Sequence, residues 1–419
     1  MKKILTLVLI LGTALWLQAQ TLTTARPEQA GISAERLARV DQLVNEHVNK
    51  GLIPGAVVLI ARNGKIVFHK AYGQSNLENK TPLKANDIFR IASQTKAITS
   101  LAALMCFEDG KFLLDEPVSK YIPEFKNPRV LVNFNEKDSS YFTEPAKSEP
   151  TIRQVLTHTS GIDYAGIGSK ELKAIFAKAG VPSGIGNHQG LLADKMKILA
   201  KLPLKHHPGE RYTYGLNTDV LGYLVEIWSG MSLDQFFKTR IFAPLGMNDT
   251  YFYLPKEKHT RLVTLYETRD GKLTPPTGKI YDGVLPDYPT LPGTYYSGGA
   301  GLSSTTEDYA KFLQLFINGG IYNGNRLLSR KTVELMLTNQ IQPPLTNQFG
   351  LGFGLETSAN DYQNIYSIGS FSWGGAFNTH YWGDPKEKLV GLIFTNMYNS
   401  PVWNLGEKFK IAVYQAIAD

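Results

Sequence analysis

Ser93 and Lys96 stand three residues apart in "FRIASQTKAITSLAALMCFEDG", a spacing that puts both side chains on one face of a helix. A serine hydroxyl is a poor nucleophile until a base takes its proton, and a lysine one turn on can do so when desolvation lowers its pKa. A helix start also presents free N–H groups and a positive dipole end, useful where an oxyanion forms. The tetrapeptide alone is weak evidence. Serine and lysine are common, and a serine at a helix start is a usual cap.

Two further segments supply possible partners. In "HHPGERYTYGLNTDVLGYLVEIW", Pro208-Gly209 marks a turn and a helix begins near Asn217, so Tyr214 falls in the connection entering it. A phenol titrates near pH 10, so Tyr214 would need a cation such as Lys96 to act as a base. In "GSFSWGGAFNTHYWGDPKEKLVGLIFTN", Trp373-Gly374-Gly375-Ala376 is read as lying just before an alternating strand. Paired glycines there let a substrate approach the backbone. The N–H of Ala376 would join that of Ser93 in holding an oxyanion, a donor typically worth about 3 kcal/mol. Each segment also has a plain structural reading, as a packed tyrosine or a turn beside a core tryptophan.

Other candidates are set aside. His158-Thr159-Ser160 places serine and histidine too close in sequence to face each other well, and no G-x-S-x-G elbow occurs. His206-His207 lacks a second pair at metal-ligand spacing, so no metal and no cofactor is expected. The glycines of "GLGFGLE" lack the strand–turn–helix setting of a phosphate loop. Cys106, the single cysteine, sits in an apolar run and reads as a buried thiol, with no internal disulfide.

The elements that must position these groups follow from periodicity. Ser33 caps a helix to Lys50 with Leu37, Val40, Leu43, Val44 and Val48 at helical spacing. Ala56–Ile60 and Ile66–Phe68 flank Asn63-Gly64, a hairpin signal. The Ser93 helix runs to about Glu108, with Gly110 past its end. Strand patterning returns over Gly350–Leu355, Asn364–Ile368, Phe377–Trp382 and Leu389–Thr395, before a helix from about Trp403 to Ala418. This predicts an α+β fold: one antiparallel sheet flanked by amino- and carboxy-terminal helices, built from residues 20–92 and 291–419. A mostly helical region, 93–290, is inserted between them.

Taken in order, "RIASQTKAIT", "TIRQVLTHTSGI", "HPGERYTYGLNTDVLG", "PLGMNDT", "GGAGLSSTTEDYAKFLQLFINGG" and "WGGAFNTHYWGDPKEKLVGLIFTN" resemble the serine β-lactamase and penicillin-binding superfamily. The resemblance is to the class C side, and most of all to esterases with a β-lactamase fold. It covers about Ser33 to Thr395. It implies one catalytic domain with Ser93 as nucleophile, Lys96 as its proton partner and Tyr214 as the second-motif tyrosine, with Tyr212 in reserve. Two departures stand out. Leu216 takes the place of the usual asparagine, leaving Asn217 one position late as a substrate-binding candidate. Trp373 takes the place of the lysine that helps lactamases bind a carboxylate, a contact typically worth about 1.5–3 kcal/mol. A Trp373-Gly374-Gly375 wall favours an esterase-like or acyl-transfer enzyme over a penicillinase. The competing readings are a β-lactamase or D-amino-acid peptidase acting on cell-wall-type amides, and an acylated sensor without turnover.

The bulk properties fit. The 419 residues are 43% hydrophobic and 19% charged, ordinary globular values. The net charge of +7, or +5 without Lys2 and Lys3, is scattered, which argues against a nucleic-acid groove; the small-molecule acyl substrate is what the resemblance implies. Met1-Lys2-Lys3, the apolar run Ile4–Leu17 and Ala19 form a signal-peptide pattern over residues 1–19, predicting export to the periplasm or medium. Its apolar run is short of the roughly 20 residues a membrane span needs.

Overall fold

A computed structural model describes residues 21–281 and 283–419; the signal-peptide expectation falls outside them. Ser33 caps α1 (Ala34–Asn49) by accepting from the Arg36 N–H, and the apolar spacing of Leu37, Val40 and Val44 is buried against the sheet. Asn63 and Gly64 both take positive φ, as a two-residue hairpin turn requires, and join β2 (Gly55–Arg62) to β3 (Lys65–Asn76).

The central sheet has eight strands. The others are β1 (Thr23–Thr24), β4 (Thr81–Pro82), β5 (Gly354–Leu355), β6 (Phe371–Gly375), β7 (Thr379–Asp384) and β8 (Leu389–Phe394). They run β1-β3-β2-β8-β7-β6-β5, with β4 on β3. The first and last parts of the chain thus meet at its centre, where Val57 of β2 faces Phe394 of β8. The sheet is antiparallel apart from β1, which pairs parallel with β3 and makes the sheet mixed at that edge.

Strand β2 is buried along its whole length because helices cover both faces. Val58 and Ile60 pack with α1 and the last helix, α5 (Leu405–Tyr414). Val57 and Leu59 point the other way, into the larger core shared with α2 (Thr95–Glu108), α3 (Asn217–Ser229) and α4 (Thr306–Ile317). Residues 93–290 are mostly helix and loop, with hairpins at Arg129–Phe134/Tyr141–Pro145 and Glu267–Arg269/Lys272–Thr274.

Three strand expectations need correction. Asn364–Ile368 forms no strand, and only Gly354–Leu355 of Gly350–Leu355 does. Trp373-Gly374-Gly375 lies within β6, not ahead of the strand: Trp373 pairs with Tyr381 and Gly375 with Thr379. Both glycines are paired in β6, which runs to Gly375, and glycine is needed at its end. A Cβ on Gly375 would collide with the Ile91 carbonyl oxygen just before Ser93.

Candidate active site

Ser93 occupies a single turn of 3-10 helix, Ala92–Gln94, that leads into α2. Ala92 holds φ at 42°, a costly setting for a residue with a Cβ, kept here by complete burial. The Lys96 ammonium lies 3.4 Å from Ser93 Oγ, a long hydrogen bond, and donates at 2.8 Å to the Gly299 carbonyl. Lys96 is 4% exposed and stands over two rings, 4.6 Å from Tyr214 and 5.2 Å from Tyr164.

A cleft of about 420 Å³ opens in front of Ser93. Tyr214 lines it, and so does the end of β6 from Ser372 to Ala376. The Tyr214 hydroxyl is enclosed and lacks a hydrogen-bond partner among the described residues. Tyr212, the reserve candidate, does not line the cleft; its ring packs on Phe349 and His158, and burial drives its pKa far up. Trp373 packs edge-on to Phe349 and 5.6 Å from Tyr214, forming an apolar side wall. The N–H groups of Ser93 and Ala376 have no backbone acceptor among the described residues, so two donors are available at the cleft floor.

Asn217 is elsewhere. It is fully buried and is not part of the cleft wall. Its carbonyl oxygen accepts from the Ser160 hydroxyl, and its amide donates to His158 Nδ1 at 3.1 Å and to the Ile162 carbonyl at 3.4 Å. The substrate-binding expectation for Asn217 is therefore corrected: one position out of register on α3, it braces the 158–162 turn. His158, with φ at 57°, backs the Tyr214 ring at 4.9 Å, and burial plus the Lys96 charge keep it neutral.

Sequence reasoning missed the layer behind Lys96. Asp219, on α3, is fully enclosed, and burial raises its pKa to about 6 against the pull of Ser297, Lys96 and Tyr295. Gly299 separates the two groups: a Cβ there would come within 2.6 Å of Asp219 Oδ2 and 3.4 Å of Lys96 Nζ. The block "GGAGLSS" contained that glycine, but nothing in the sequence said what it faced. Also missed was the outer cleft, made by Ile167, His380, Trp403, Glu407 and Lys410. Among the described residues no group of three or more acidic, histidine or cysteine side chains is placed to hold a metal.

A serine and a lysine at the head of one helix, a tyrosine from the segment entering another, and the end of β6 opposite are an arrangement that could carry acyl transfer. Residues 40–411 match the family model described as Beta-lactamase. The chain belongs to the Beta-lactamase family. It is accordingly an enzyme of the serine-hydrolase class. Its relatives include Esterase EstB of Burkholderia gladioli, 29% identical over 388 residues, covering 87% of this chain and 91% of the relative. Among solved structures it is similar to "EstCE1, a hydrolase with promiscuous acyltransferase activity", with a TM-score of 0.78 and 26% identity, covering 91% of this chain and 99% of that one. It is also similar to Simvastatin Synthase (LovD) from Aspergillus terreus, with a TM-score of 0.76 and 27% identity over 91% of this chain and 98% of that one.

Proposed function

We propose that this chain cleaves carboxylic esters of small organic molecules through an acyl-enzyme on Ser93. The observation that carries the reading is the Ser93 hydroxyl, 3.4 Å from the Lys96 amine, at the floor of a cleft that Tyr214 and the β6 end also line. Ser93 Oγ bonds to the acyl carbon while its proton passes to the Lys96–Tyr214 pair. The carbonyl oxygen takes the negative charge and rests on the N–H groups of Ser93 and Ala376. Collapse breaks the ester C–O bond, and the departing alkoxide takes the proton. Water then attacks the acyl carbon by the reverse route, freeing the acid and Ser93. Trp373 supports esters over lactams, because an aromatic side chain stands at the position from which a lysine would hold a lactam carboxylate. The leader pattern in residues 1–19 supports action outside the cytoplasm.

Intact-mass spectrometry with p-nitrophenyl butyrate tests the reading. Wild type should gain one acyl group transiently and release it, Ser93→Ala should gain none, and a chromogenic cephalosporin should turn over more slowly. Full turnover by Ser93→Ala would defeat the mechanism. A permanent adduct without product would favour an acylated sensor.

A further inference from the structure

Beyond Trp373 the cleft continues between β7 and α5. Lys410, on α5, is only 7% exposed, yet it borders both this cleft and a neighbouring groove lined by Tyr362, Asn364 and Tyr366. Lysine is rarely buried unless paired. Its ammonium stands 4.5 Å over the Tyr366 ring and donates to Glu407 Oε1 at 2.6 Å. The pair is lopsided, for the Glu407 side chain is 58% exposed against 9% for Lys410. Glu356, an internal acid bonded to Asn364, also faces the amine, and its own pKa is raised by burial. His380, on β7, is held neutral by burial. Among the described residues lining the cleft, Lys410 is the cation.

We propose that Lys410 is an anion-recognising subsite that takes a carboxylate carried by the ester substrate away from its scissile carbonyl, and that Glu407 fills this place when the cleft is empty. The proposal deepens the esterase reading and rests on it. Glu407 holds the ammonium from the solvent side, its own pKa raised by partial burial, so it is the partner of Lys410 that can swing out into water. A ligand carboxylate that fills the cleft displaces water and meets the same ammonium in a less screened setting, where charge-assisted bonds are stronger. Burial lowers the Lys410 pKa to about 8, with Glu356 opposing, so the amine is mostly charged at pH 7 and loses that charge above pH 8.

The test compares kcat/KM for matched esters that differ only in a free or methyl-capped carboxylate. One series is the p-nitrophenyl monoesters of adipic acid; the other, with the charge on the alcohol side, is the butyrates of hydroxybenzoate and its methyl ester. At pH 7 the free carboxylate should be preferred by about tenfold in at least one series, fading above pH 8. Lys410→Met should bring that ratio close to one, and Glu407→Gln should raise it. Because the readout is a ratio, a general loss of activity cancels, and Glu407→Gln checks the idea without removing the cation. Equal rates on free and capped esters in both series, or a preference untouched in Lys410→Met, overturn the subsite. Failure of wild type on every ester sinks the esterase reading itself, and the subsite with it.

Discussion

The two faces of the central sheet use burial differently. Toward α1 and α5 the core runs from Leu37, Val40 and Val44 to Ile393, Phe409 and Val413, and buried polar groups, among them His47, Asp384 and Lys410, sit on or against those two helices. Toward α2 and α3 the core is just as closed, yet it encloses Lys96, Thr99, Asn217, Asp219 and Ser297, each at 4% exposure or less. Burying such groups costs free energy unless partners are supplied, and the glycine-rich backbone at 298–299 supplies them to Thr99 and Lys96. Both faces hold the molecule together, and the α2/α3 face also encloses Lys96 and Asp219 close to each other, out of water. The proposed site sits where the second face meets the end of β6.

The sharpest way to break this division is at the tyrosines. Tyr214→Phe should lower kcat about a thousandfold, within the usual range for a lost proton-transfer group, while Tyr212→Phe changes it by no more than about threefold. Steady-state kinetics on one ester decides, and equal losses would erase the distinction between a cleft tyrosine and a packing one. The α1/α5 face should respond in the opposite sense. Leu37→Ala should cost about 2–5 kcal/mol in chemical denaturation and leave kcat near wild type; a large drop in kcat would show that the two faces are not separable.

The smallest expected effect is in acid. Burial holds the His380 pKa at about 4, below the value near 6.5 of an unfolded chain. Between those values the unfolded state binds the extra proton, so stability is complete above pH 6.5 and is lost as pH falls toward 4. The two values bound the loss at about 3 kcal/mol, and His158 adds to it in the same direction. Denaturation of wild type and His380→Asn at pH 7 and pH 4.5 measures it. The variant should lose less on acidification; an unchanged difference would remove His380 from the account.

The elements that announce themselves locally were legible. Ser33 as a cap, the Asn63-Gly64 turn and the helical spacing of Leu37, Val40 and Val44 depend on neighbours in sequence. The α+β class followed from where strand patterning stopped and resumed. Trp373-Gly374-Gly375 misled because glycine pairs usually punctuate a strand, whereas here Gly375 lets β6 pass against Ile91. Asn217 misled because its side chain, at the first position of α3, turns into the core toward the 158–162 turn. Asp219 behind Lys96 and Lys410 at the cleft mouth had no local sign at all. Their partners arrive from other parts of the chain, and only packing brings them together.

The position of β8 between β2 and β7 has a consequence for synthesis. The segment bearing Ser93 leaves the ribosome long before the strands that will roof it, and its helix, buried from Thr95 to Cys106 in the finished fold, packs first on Asn217–Ser229 and gains its last cover from the final strands. A nascent chain in that state is a natural client for holding factors, and a prematurely terminated one has no opposite wall to complete its pocket.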